Sequence, residues 1–282
     1  MEIKSLPVIP SDRIDDLHNL ENAETADLVL FMAGNQFMVM DELLRAFRQA
    51  HPEVESIFYE TLPPGLELKQ ILAGGALFGE NAIHVYPDIY TSVNEQGMRT
   101  LIETGHIYKE NYQLYLHNRL ALMVPEGNPA GIETVADLGK DEVRISQPDP
   151  ANEHIAFHII DMYRQAGGEQ LVRRIMEEKR AGGTTILTVV HHRETPLRIE
   201  KQTVDVGPVW ATEAIHARTT GLKFDLVEPG KALDQRERIN YYICKLKKAP
   251  HPEGANAFYN FILSQEAQDI YVRYGFVPHG QS

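Results

Sequence analysis

The sequence predicts an α/β protein with largely parallel sheets. Two observations carry this: apolar runs of strand length alternate with segments of helical periodicity, and glycine, proline or polar turn residues punctuate the junctions. From Asp27 onward, residues 27–33 form a strand, 36–52 an amphipathic helix stopped by Pro52, and 54–60 a second strand. The turn 61–65 leads into a helix over 66–75 that ends at Gly74 and Gly75. A strand over 81–90, a helix over 90–105 and a strand over 118–127 follow. Residues 131–139 make a short helix, 142–150 a strand and turn, and 152–168 a helix closed by glycines, continuing as helix over 168–180. After a strand at 184–190, residues 191–214 form a unit of their own. A strand at 239–250 and two helical segments within 253–276 complete the chain. Residues 1–25 are polar and aperiodic, and read as an N-terminal arm.

Composition narrows the class. The chain has 282 residues, 43% of them apolar and 24% charged, which suits a globular protein with a substantial core. No run approaches the roughly eighteen apolar residues of a membrane span, so direct membrane insertion is not expected. With no apolar leader after Met1, the native protein is either cytoplasmic, or periplasmic with its signal peptide removed. The single Cys244 excludes an internal disulfide and a multi-cysteine zinc site. A net charge of −13 argues against nucleic acid or an anionic membrane as partner, but not against a small anion held by local donors.

The stretch 191–214 concentrates the most information. His191, His192 and Arg193 precede Thr195-Pro196, a pair suited to a helix first turn, and unpaired N–H groups there favour an anion. The chain then returns as a buried-type strand, 204–210, ending in the single tryptophan, Trp210.

Five segments in order, 31–47, 118–138, 147–159, 204–214 and 257–276, resemble the type II periplasmic solute-binding proteins, most closely the molybdate-binding (oxyanion) branch serving ABC transporters. The resemblance covers residues 27–278. It implies two lobes, each a mostly parallel sheet flanked by helices, joined by crossing hinge strands and closing on a solute. By order, lobe one is 26–118 plus 241–282 and lobe two 119–240, after the arm at 1–25. The implied partners are a small anionic solute and a membrane ABC permease; no cofactor is implied.

Ligands in open α/β sheets bind beyond the carboxyl ends of strands, and that rule selects the same four loops as the resemblance. They contain Asn35 and Gln36; Thr61 to Gly65; Ala151 and Asn152; and His191, His192 and Arg193. Asn35 stands where the molybdate binders carry a serine, and Pro63-Pro64 remove two backbone donors. Trp210 stands where those proteins place a tyrosine, offering one donor, no acceptor and a stacking face. Asn35, Gln36, Thr61, Gly65, Ala151 and Asn152 are then neutral contacts, Arg193 the charge, and the two histidines pH-dependent donors. Molybdate, tungstate and sulfate need only donors. Phosphate or arsenate brings a proton that wants an acceptor such as Asp149 or Glu194, and carboxylates or phosphonates could pack an apolar part on Trp210.

Other readings compete. Glu153, His154, His191 and His192 could bind a metal or metal chelate, and His154 and His158 share a helix face. A cytoplasmic sensor or an enzyme on the same scaffold is the third reading. No nucleophile elbow, paired-carboxylate motif or metal motif supports catalysis, and Cys244 falls in a predicted strand. Tyr241-Tyr242 read as core packing in a lobe-crossing strand.

Overall fold

The computed structural model describes residues 6–151, 153–189 and 194–280. Its described residues cluster into two compact units. Unit 1 draws on described residues within 6–116, 240–273 and 278–280, and unit 2 on those within 117–239 and 274–277.

Unit 1 opens with β1 (Val8–Ile9), β2 (Leu17–His18), β3 (Leu28–Phe31), α1 (Phe37–Ala50), β4 (Ile57–Glu60) and α2 (Pro64–Ala73). It continues with β5 (Ala76–Phe78), β6 (Asn81–Ile83), β7 (Ile89–Ser92), α3 (Glu95–Glu103) and β8 (Tyr112–His117). β3 is apolar and buried along its whole length, as expected of a strand covered on both faces, and it pairs parallel with β4 and β7. α1 buries Met40, Leu43, Leu44 and Phe47, a helical stripe, and ends at His51 before Pro52.

Unit 2 comprises β9 (Leu120–Pro125), β10 (Ile145–Gln147), α4 (Ile155–Arg173), β11 (Thr185–Leu187), α5 (Glu194–Glu200), β12 (Gly207–Trp210), α6 (Ala211–Thr219) and β13 (Phe224–Val227). β10 and β11 are parallel, whereas β9 is antiparallel to both β12 and β13. Strand direction in this unit is therefore mixed rather than mostly parallel. A strand buried on both faces has the same composition in either direction, so the sequence carries no signal for it. α4 is kinked at Gly167 and Gly168; Gly168 takes φ 67°, and a Cβ on Gly167 would lie 2.7 Å from Leu171 Cβ.

The chain returns to unit 1 through β14 (Asn240–Lys245), α7 (Pro252–Ile262) and α8 (Gln265–Arg273), and ends with β15 (Val277–Pro278). The seven-stranded sheet runs β15-β8-β14-β7-β3-β4-β2, with β1, β5 and β6 in a small sheet of their own. On the helical layer, Phe47 meets Phe258 edge-on at 5.1 Å and tilts against Phe261 at 5.5 Å. The buried Asp88 carboxylate accepts from the Val29 N–H at 2.8 Å and the His251 N–H at 2.7 Å, tying β3 to the start of α7.

The stretch before Asp27, expected as an arm, is paired: β1 runs parallel to β5, and β2 antiparallel to β4 at the sheet edge. Strands of two residues leave no periodic signature. β8 and β13 likewise lack a clear sequence pattern, because only Tyr115 and Leu116 in the one, and Phe224 in the other, are buried. The single strand expected at 81–90 is divided between β6 and β7. No helix among the described residues is long and apolar enough to cross a membrane.

Candidate functional site

In unit 1 the loops after β3 and β4 lock together. The Gly34 N–H donates to Leu62 O at 3.0 Å, and a Cβ on Gly34 would stand 2.7 Å from Thr61 O, so only glycine allows this approach. Behind the first loop, the Ala33 N–H donates to Thr91 Oγ1 at 2.7 Å.

Gln36 is fully buried. Its Nε2 donates to Thr91 Oγ1 at 3.1 Å, while Oε1 accepts from the Tyr115 and Tyr271 hydroxyls at 2.7 and 2.9 Å. This side chain is a scaffold for the loop, with its amide spent internally. Thr61 is 2% exposed; its N–H donates to Asp16 O at 2.9 Å, and its hydroxyl donates to Asp16 Oδ1 with His18 Nε2 also 3.4 Å away. Both expected contacts thus face the protein interior.

Asn35 differs. It is partly exposed, its Nδ2 donates to the Tyr241 hydroxyl, and its Oδ1 is buried without a partner. Gly65 is exposed in the first turn of α2, with open space where a side chain would go. Leu66 and Glu67 both send their N–H groups back to Pro63 O, and Pro64 has none, so Gly65 presents the open donor of this helix start.

Beneath these loops lies a buried carboxyl pair. Glu60 Oε2 accepts from Gln70 Nε2 at 2.7 Å, while Glu60 Oε1 and both Glu67 side-chain oxygens lack a side-chain partner. Burial pushes Glu60 up to about 8. Burial, and next the neighbouring Glu60 charge, raise Glu67 well above the usual carboxyl range, against the opposing pull of the Leu62 N–H. Burial thus disfavours the charged form of both carboxyls.

In unit 2 the loop after β10 closes on itself. The Asp149 N–H donates to Thr188 Oγ1 at 3.1 Å, the Ala151 N–H to Asp149 Oδ1 at 2.9 Å, and the Glu153 N–H to Asp149 O at 2.8 Å. Pro148 and Pro150 have no N–H. The Thr188 hydroxyl donates to Glu153 Oε1. The expected donor at Ala151 is therefore already committed, and Asn152 lies outside the described residues.

His191, His192 and Arg193 also lie outside the described residues. α5 starts at Glu194, close to the expected helix start. Glu194 accepts from the Val189 N–H and from Arg198 at 2.8 Å each, and Arg198 donates further to Ile186 O and Leu187 O at 3.0 Å. Gly207, at the start of β12, packs so closely on α5 that a Cβ would meet Thr195 Cγ2 at 2.2 Å.

Trp210, at the end of β12, is 7% exposed, with its ring 5.8 Å from that of His158. His158 in turn contacts His154 at 5.2 Å, and His154 contacts Phe157 at 5.9 Å. Burial, and next the His154 charge, lower His158 to about 4, so its imidazole is neutral at pH 7. Of the alternative metal set, Glu153 and His154 are described and the other two residues are not. Among the described residues, no group of three or more His, Cys, Asp or Glu side chains is arranged to hold a metal ion.

The tyrosines that organise the unit 1 loop, Tyr115, Tyr241 and Tyr271, come from β8, β14 and α8 and were not singled out as site residues from sequence. Nothing in their spacing links them to Asn35 or Gln36.

Two α/β units with strand-end loops of this kind define a solute-binding protein of the type II periplasmic class. The chain belongs to the bacterial extracellular solute-binding protein family, whose sequence model matches residues 28–277. A Bacillus subtilis (strain 168) relative, YvgL, whose name describes an ABC transporter substrate-binding lipoprotein, is 24% identical over 211 residues, 72% of either chain. Among solved structures, the substrate binding domain of a protein assigned as a molybdenum ABC transporter from Clostridium difficile aligns with a TM-score of 0.70 and 17% identity, covering 89% of this chain and 97% of that one. The Azotobacter vinelandii periplasmic molybdate-binding protein aligns with a TM-score of 0.65 and 14% identity, covering 89% and 98%. At these identities the structural likeness establishes the fold.

Proposed function

We propose that the protein binds a small anionic solute outside the cytoplasmic membrane and delivers it to an ABC-type permease, without chemically changing it. Family membership supports the substrate-binding role. The single observation that carries the anionic class is Asn35, whose amide has one end on Tyr241 and the other buried without a partner. With the amide turned so that the phenol donates to Oδ1, Nδ2 takes the buried unpartnered position, a donor that an anion pairs only if the loop opens to admit it. The open Gly65 N–H adds a second donor in the same unit, and Arg193, which lies outside the described residues, is the expected source of charge.

Molybdate, the solute named for one structural neighbour, falls within this class, as do sulfate, carboxylates and phosphonates. Native mass spectrometry of protein purified without denaturant tests the reading. A mass increment matching a small anion, removed by unfolding and dialysis, supports it. An increment matching only a divalent metal, removed by chelator, overturns it.

A further inference from the structure

We infer that the start of α2 is a latch held by protons: two buried carboxyls beneath it keep the turn at residues 63–67 closed in their neutral form, and their ionisation opens it. The consequence for solute capture rests on the anion-binding reading above, through the Gly65 N–H; the latch itself does not.

The geometry lies within unit 1. Glu60 is the last residue of β4, and residues 61–63 join it directly to α2, where Glu67 and Gln70 stand three positions apart on one face. All three side chains are fully buried. Gln70 Nε2 reaches across to Glu60 Oε2 at 2.7 Å, so the end of β4 and the buried face of α2 meet at this pair. Glu60 Oε1, both Glu67 oxygens and Gln70 Oε1 find no side-chain partner among the described residues.

No neighbouring charge offsets an ionised pair. Asp16, bonded to Thr61, would only add negative charge, and burial disfavours the charged form of His18, 3.4 Å from Thr61 Oγ1. From β7 the Tyr90 phenol, and from β14 the Cys244 thiol, are both kept neutral by burial. Lys69 of α2 is exposed, and α3, packed on α2, buries Gly97, Met98 and Leu101 while its Arg99–Glu95 pair stays at the surface. Carboxylates in such a setting either keep their protons or draw water in.

The turn is the element that yields. β4 is paired on both sides, to β3 and to β2. The first turn of α2 is held by the Leu66 and Glu67 N–H groups on Pro63 O at 2.8 and 3.2 Å and by the Tyr90 hydroxyl on Pro64 O at 2.9 Å, and Pro64 has no N–H to add. Opening it lets water reach both carboxylates and takes the Gly65 N–H out of its fixed position. Burial lifts Glu60 to about 8, which places the opening above that pH.

Amide hydrogen exchange of the full chain tests the latch without any ligand. Protection of a peptide spanning 64–73, corrected for the intrinsic pH dependence of exchange, should fall about tenfold between pH 6.5 and 9, the linkage of one proton released across one pH unit. Protection of α1 should stay level. Glu60→Gln, and the double variant with Glu67→Gln, keep the side-chain shapes and remove the charge, and should limit the fall to less than about threefold. Calorimetric titration with sulfate and with molybdate at the same two pH values reads the consequence: the affinity should drop at pH 9 in the wild type and drop less in the variants.

Protection unchanged between the two pH values, or falling equally in wild type and both variants, overturns the inference. So does protection lost at pH 6.5 on adding chelator, because a bound cation would then hold the pair in place of protons. An anion affinity that ignores the opening overturns the latch's role in capture. Opening as expected, with neither anion bound at either pH, leaves the latch standing and counts against the anion reading alone.

Discussion

The backbone N–H of Ala151 donates to Asp149 Oδ1 at 2.9 Å, and this one bond decides how the loop after β10 can meet a ligand. Were an oxyanion to bind at this loop, the Asp149 carboxylate would compete with it for that N–H. Asp149→Ala should free the Ala151 N–H and remove that competition. The expected outcome is tighter binding of sulfate or molybdate by calorimetry, at a stability cost of about 1 kcal/mol for the lost loop bond. Unchanged or weaker oxyanion binding in a folded variant would show that this loop does not contact the anion.

The buried carboxyls Glu60 and Glu67 set a pH dependence of opposite sign to that of paired acids. Burial raises both above the ordinary 4.5, Glu60 to about 8 and Glu67 well above it. The folded protein therefore holds protons that the unfolded chain releases. Their contribution to stability is fully present below about pH 4.5 and declines as pH rises through about 8. Glu60→Gln and Glu67→Gln should each raise the melting temperature at pH 8 more than at pH 5. Equal shifts at both pH values would mean that neither carboxyl is held neutral.

Gly207 and Thr195 form a contact with a built-in rescue. A Cβ at 207 meets Thr195 Cγ2 at 2.2 Å, so Gly207→Ala should destabilise unit 2 by about 1–3 kcal/mol through overpacking. Thr195→Ser removes that methyl and keeps the hydroxyl, which lies 2.8 Å from Ser146 Oγ. Denaturant unfolding of the double variant should recover most of the loss. Additive destabilisation would place the strain elsewhere.

His158 should report its own titration through Trp210. Protonated imidazole quenches a neighbouring indole, and the rings are 5.8 Å apart. Because His158 is lowered to about 4, emission should stay level from pH 8 to about 5 and fall only near pH 4. The linked stability is present above the ordinary histidine value of about 6.5 and lost as pH falls through about 4. A fall centred near pH 6.5, in protein still folded by circular dichroism, would show that His158 is solvated.

The parts of this structure legible in the sequence are those written in local periodicity. α1 shows its Met40, Leu43, Leu44 and Phe47 stripe, β3 its unbroken apolar run, and α4 its glycine kink. The short strands β1, β2, β8 and β13 are set by pairing partners far along the chain, and no window of sequence contains them. The same division holds for the site. Strand-end position marks Asn35 and Ala151 as loop residues, because the strand before and the helix after each leave a signature. Whether their polar groups are free depends on Tyr241 and Thr188 on other elements, and on the turn of Asp149 back towards Ala151. Gln36 illustrates the limit: its loop position suggests a ligand contact, but tyrosines from β8 and α8 draw its amide inward.

The most direct test is calorimetric titration of the dialysed protein with molybdate, sulfate, methylphosphonate, phenylphosphonate and a divalent metal, the anions each with and without chelator, for wild type and Arg193→Ala. Saturable one-to-one binding of at least one of these anions is expected, indifferent to chelator and weakened more than tenfold by the substitution. Heat from divalent metals alone, or an anion affinity unaltered in a folded Arg193→Ala protein, would contradict it.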